Sequence, residues 1–183
     1  MHLLKFSSTR LITATTAACA AALASAALAA TASPAAPARA ATAPKCATSG
    51  LVIWLNTTGN GALGSIYYNL YFTNLSGHAC SLRGYPGVSA VNLAGQRLGA
   101  GAGRETVQKP STVTLARGAT AMAVLRIVAA GNFPTSVCRE VTAAGLRVYP
   151  PGQTASKVIP FPFQACSRAG MSNLFVRTVV PKT

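Results

Sequence analysis

Ile66-Tyr67-Tyr68-Asn69-Leu70-Tyr71-Phe72-Thr73 places Ile66, Tyr68, Leu70 and Phe72 on one side of an extended backbone and Tyr67, Asn69, Tyr71 and Thr73 on the other. Strand side chains alternate between faces, so this order, in aromatic and β-branched residues, describes a half-buried β-strand. Neighbouring segments carry the same signal. Leu51–Leu55 is a short apolar run bounded by Gly50 and Asn56, and Val88–Leu93 stops at the Ala94-Gly95 turn. Val113 and Leu115 precede Arg117-Gly118, and Ala119–Val128 runs on as a further strand. Leu146–Tyr149 ends at Pro150-Pro151, and Leu174, Val176, Thr178 and Val180 alternate near the C-terminus. No segment after Pro44 repeats convincingly every 3.6 residues. Short strands punctuated by Gly and Pro predict an all-β fold, an immunoglobulin-like antiparallel sandwich of two sheets. About 140 residues bury close to 70% of the unfolded chain's surface, enough for a real core.

Upstream of this domain the composition changes. Lys5 and Arg10 precede an uncharged run from Leu11 to Ala30, followed by small residues at A-x-A spacing such as Ala27-Leu28-Ala29. A basic start, an apolar stretch and small-residue cleavage options predict a secretory signal peptide over 1–32. A retained anchor fits less well because Ala and Thr are weak membrane formers, so no transmembrane span is expected in the mature form. Lipidation at Cys19 fits less well because the apolar run continues beyond it. Residues 33–45, rich in Ala, Pro and Thr, cannot bury enough surface to offset ordering and read as a disordered linker. The compact domain is placed at 46–183.

Cys46, Cys80, Cys138 and Cys166 remain after the leader, and an even number in an exported chain predicts two disulfides. Three connectivities are open; Cys46–Cys80 with Cys138–Cys166 is favoured. Zinc is a poor alternative, because there is no C-x-x-C pair and His78 is the only histidine beyond the leader.

The segment Asn74-Leu-Ser-Gly77-His-Ala-Cys80-Ser-Leu82-Arg-Gly84-Tyr85-Pro86-Gly87-Val88 resembles the signature of DUF4232, an actinobacterial exported family of unknown function. Its C-x-L-x-G-Y-P-G element follows a strand ending in Phe72-Thr73-Asn74, and Leu115-x-x-Gly118-x-x-Ala121 also matches. The resemblance runs from about Cys46 to Val180 and implies export and an immunoglobulin-like fold, without a catalytic residue. Within the element, Pro86 suits the second position of a turn and Gly87 a positive φ at the third.

Charge excludes several chemistries. The 183 residues contain 16 Lys+Arg and 2 Asp+Glu, a net charge of +14. The acids are Glu105 and Glu140, and there is no aspartate, which removes Asp-rich calcium loops and the usual Ser-His-Asp triad. Glu105 and Glu140 read as isolated surface acids paired with arginines rather than a glycosidase pair, and His78 as an exposed turn residue. Gly59-Asn-Gly61-Ala-Leu-Gly64 matches G-x-G-x-x-G, but a strand follows it where dinucleotide binding needs a helix, so it reads as a flexible loop and no cofactor is expected. Asn56-Thr-Thr58 and Asn74-Leu-Ser76 read as turns rather than glycan acceptors.

Losing Lys5 and Arg10 with the leader leaves the mature chain two charges less basic, still far from neutral. Its cations are scattered, without the aromatic interleaving of nucleic-acid grooves, so no nucleic-acid partner is expected. Anionic envelope polymers or an extracellular protein are the expected partners. Tyr67 and Tyr71, flanking Asn69 on one strand face, form the candidate binding surface. The expected function is a secreted, non-enzymatic, envelope-associated domain. The alternatives are a polymer-acting hydrolase and an extracellular protease inhibitor presenting Ile159-Pro-Phe-Pro-Phe163 as a loop.

Overall fold

The computed structural model describes residues 42–182; the leader and the first part of the linker lie outside the described residues. Twelve strands follow in order: β1 (Leu51–Ala62), β2 (Ser65–Asn74), β3 (Cys80–Arg83), β4 (Gly87–Val91), β5 (Arg97–Leu98), β6 (Gly103–Arg104), β7 (Thr112–Leu115), β8 (Thr120–Val128), β9 (Glu140–Tyr149), β10 (Lys157–Cys166), β11 (Leu174–Val176) and β12 (Val180–Pro181). A 3-10 turn (Ala130–Asn132) and one α-helical turn, α1 (Thr135–Cys138), lie between β8 and β9.

The larger sheet has the order β1-β2-β8-β11-β6, with β12 also pairing β8. The smaller is β10-β9-β4-β5, and β3 and β7 form a separate pair. The fold is the expected all-β sandwich with two disulfides, Cys46–Cys80 and Cys138–Cys166. Two details depart from a simple two-sheet antiparallel design: the β3–β7 pair stands apart, and β11 runs parallel to β6.

Alternation sets the core. Leu70 and Phe72 on β2 oppose Ala123 and Ala121 on β8, and all four are fully buried. Val88 and Ala90 of β4 pair with Val148 and Leu146 of β9, and these side chains close against the larger sheet in one apolar cluster. Small alanines on β8 facing large β2 residues let the layers interdigitate. Leu82, Val113 and Leu115 bring the β3–β7 pair into the same core. By chain entropy, each disulfide contributes about 3.5 kcal/mol.

Local chemistry explains the connections. β1 and β2 continue through the glycine-rich segment to a two-residue turn at Leu63-Gly64, both with positive φ (44° and 72°), as a tight hairpin requires. Gly59–Gly64 is therefore strand and turn, not a flexible loop. A register shift between Asn56 and Asn60 accommodates the extra residues. Ile159–Phe163 belongs to edge strand β10, with Ile159, Phe161 and Phe163 packed on the core. It is not the protruding loop an inhibitor would present.

The β5–β6 connection clasps one side of the sandwich. Ala102 N donates to Val88 O on one sheet, and β6 then pairs with β11 on the other. Gly99 is required here: a Cβ would lie 2.3 Å from Met171 O, and its φ is +58°. Ordered pairing also begins before Cys46, since Ser81 Oγ donates to Ala43 O and Ser81 N to Pro44 O. The last residues of the expected linker thus join the domain.

Candidate functional site

The outer face of the larger sheet collects the residues singled out from sequence. Register places Tyr67 opposite Arg126, Asn69 opposite Val124 and Tyr71 opposite Met122. On the other side of β2, Trp54 opposes Tyr71 and Asn56 opposes Asn69. Tyr67, Asn69 and Tyr71 therefore share one face with Trp54, but they are not equally open. Tyr71 is only 7% exposed, because Trp54 lies over it at 4.3 Å between ring centroids; Trp54 itself is 40% exposed.

Cations stand over these rings. Lys182 Nζ is 5.0 Å from the Tyr71 centroid, and the Arg177 guanidinium 5.7 Å from that of Tyr67. Arg126 packs on Phe175 at 4.2 Å. Glu105 joins the two arginines: Arg126 Nε donates to Oε1 at 2.6 Å and Arg177 Nε to Oε2 at 3.0 Å. Burial alone would raise this carboxyl, but the hydrogen bonds and charges of Arg177 and Arg126 outweigh it and hold Glu105 below its ordinary range. Both carboxylate oxygens are thus occupied.

The residues that sequence alone missed here are Arg177, Lys182, Arg126 and Phe175. They reach the face only through pairings between distant strands, Arg126 through β2–β8 and Phe175, Arg177 and Lys182 through β8–β11 and β8–β12, which join segments about 50 residues apart. Trp54 was legible as an aromatic residue, but not as the cover of Tyr71.

The other candidates are dispersed. His78 is exposed, and only its backbone oxygen is engaged, accepting from Asn74 Nδ2 and Ser76 Oγ. Glu140 opens β9 and lines an apolar cleft of about 600 Å³ with Ile66, Tyr68, Ile127 and Phe163, where it meets neither Glu105 nor His78. Burial pushes the Tyr68 phenol up. No group of three or more His, Cys, Asp or Glu among the described residues is arranged to hold a metal ion.

Residues 46–179 match a family model described as a domain of unknown function, DUF4232. The chain belongs to this family. No curated protein and no solved structure matches it.

In this DUF4232 domain the C-x-L-x-G-Y-P-G element is architectural. Cys80 is half of a disulfide and Leu82 is a core residue at 1% exposure. Gly84, with φ +103°, turns its carbonyl to accept from Val179 N at 2.9 Å and Thr178 Oγ1 at 3.1 Å. The positive φ falls at Gly84 rather than at Gly87. Gly87 opens β4 instead, where a Cβ would come 3.3 Å from the Tyr149 side chain. Asn74 just upstream is fully buried: its amide donates to His78 O and Leu115 O, and its Oδ1 accepts from Ser76 N and Oγ. These bonds make Asn74 the organiser of its turn.

Proposed function

We infer that this domain is a non-enzymatic, exported binding module that holds an anionic polymer of the cell envelope on the outer face of its larger sheet. Its strongest support is the alignment of Trp54, Tyr67 and Asn69 with Lys182 and Arg177 on one sheet surface. Flat rings offer stacking area to a sugar, the Asn69 amide can both donate and accept, and the ammonium and guanidinium groups attract carboxylate or phosphate. The single acid on this face, Glu105, is already neutralised by two arginines, which leaves the surface net positive. Two disulfides fit an oxidising compartment, and no helix among the described residues is long and apolar enough to cross a membrane.

Co-sedimentation with purified cell envelope at rising salt tests this reading. Binding should weaken steadily as salt screens the cations, and Trp54→Ala with Tyr67→Ala should remove most of it. His78→Ala and Glu140→Ala should leave it intact. Retention indifferent to ionic strength, or unaffected by loss of both rings, would overturn the proposal.

A further inference from the structure

Three arginines from three strands line one cleft of about 590 Å³: Arg97 on β5, Arg104 on β6 and Arg147 on β9. The cleft lies where β4 and β9 meet the clasp between β5 and β6, away from the aromatic face. Gly87 and Gly101 line it without side chains to fill it, and Ser89 and Tyr149 complete the polar wall. Two of the three guanidinium groups are held in place. Arg147 Nη2 donates to Gly95 O at 2.7 Å, and Arg104 stands 5.4 Å from the centroid of the Tyr85 ring.

No carboxylate compensates them among the described residues. Glu105, next in sequence to Arg104, gives both oxygens to Arg126 and Arg177, while Glu140 lines the apolar cleft. Like charges gathered around one cavity repel each other, and an anion entering it relieves that repulsion. Guanidinium groups present paired N–H donors that match oxyanions, and three of them converging from different strands suit the several oxygens of a tetrahedral phosphoryl group better than a single planar carboxylate.

We propose that this cleft binds a phosphoryl group, either as a free phosphate or as a phosphodiester within an envelope polymer. The site is independent of the aromatic face and stands or falls separately from it. Calorimetric titration of the intact domain with inorganic phosphate, poly(glycerol phosphate) and polygalacturonate provides the test. Saturable binding of phosphate identifies the free anion as sufficient, and binding of the polymer alone identifies the phosphodiester source. Arg97→Gln, on an exposed strand, should weaken binding about tenfold, and Arg97→Gln with Arg147→Gln about a hundredfold. Arg83→Gln with Arg117→Gln removes the same charge elsewhere and should change affinity less than about threefold. Equal losses in the two charge-matched pairs, no binding of either phosphate probe, or tighter binding of the polycarboxylate would each overturn the proposal. Circular dichroism of each variant establishes that its fold is retained, and Arg97→Gln alone keeps the test decisive if the double variant unfolds.

Discussion

Glu105 shows how much one side chain can carry in so basic a chain. It bridges Arg126 on β8 and Arg177 beyond β11, with side-chain exposures of 21% and 34% for the arginines and 16% for itself. Because its folded carboxyl lies below the ordinary range, the stabilisation is fully present above the unfolded carboxylate value and is lost as pH falls through the depressed one. Glu105→Gln should therefore cost about 1–2 kcal/mol at neutral pH, reduced from the value of a fully buried pair by solvent screening. Urea unfolding at neutral and acidic pH should show the variant and the parent converging in acid. A constant gap across pH would show that packing, not charge, accounts for the loss. The acid was visible in the sequence, and its pairing with arginines was expected in kind. Which arginines it meets depended on register between distant strands.

Between elements, Asn173 performs a task that no local pattern reveals. It is 1% exposed, and its amide donates to Val128 O at the end of β8 and to Gln164 O on β10, while its Oδ1 accepts from Cys166 N. One side chain thereby fastens the two main sheets next to the Cys138–Cys166 disulfide. Asn173→Ala would leave buried backbone groups unpaired and should lower unfolding free energy by about 2–4 kcal/mol, read from a chemical denaturation midpoint. A loss under about 0.5 kcal/mol would mean that water replaces the amide without penalty. Strands with clean alternation, such as Ile66–Thr73 and Ala119–Val128, were legible because period two is imposed locally by the backbone. β3, β5 and β6 were not, since strands of two to four residues carry too few alternations to register. β10 was hidden by Pro160 and Pro162, which argue against a strand anywhere but at an edge. The β5–β6 clasp and the arginine cleft beside it arise from tertiary pairing alone.

At the scale of the whole molecule, charge and covalent bracing act together. An excess of cations opposes compaction, and the disulfides at Cys46–Cys80 and Cys138–Cys166 limit the expansion it would otherwise favour. The outer face and the arginine cleft draw on different side chains, with only β6 of the larger sheet reaching the cleft, so each can be removed by substitution without dismantling the other. The sandwich is open, and β10 ends its sheet with a margin that no further strand of the described residues pairs. Pro160 and Pro162 lack amide hydrogens, so a passing chain finds two gaps where it would seek donors. Replacing both with valine should turn that margin into a template for intermolecular strand addition, with thioflavin fluorescence growing on incubation while the parent stays dark. The prolines that disguise β10 in the sequence would then also be what keeps concentrated protein from polymerising into fibrils.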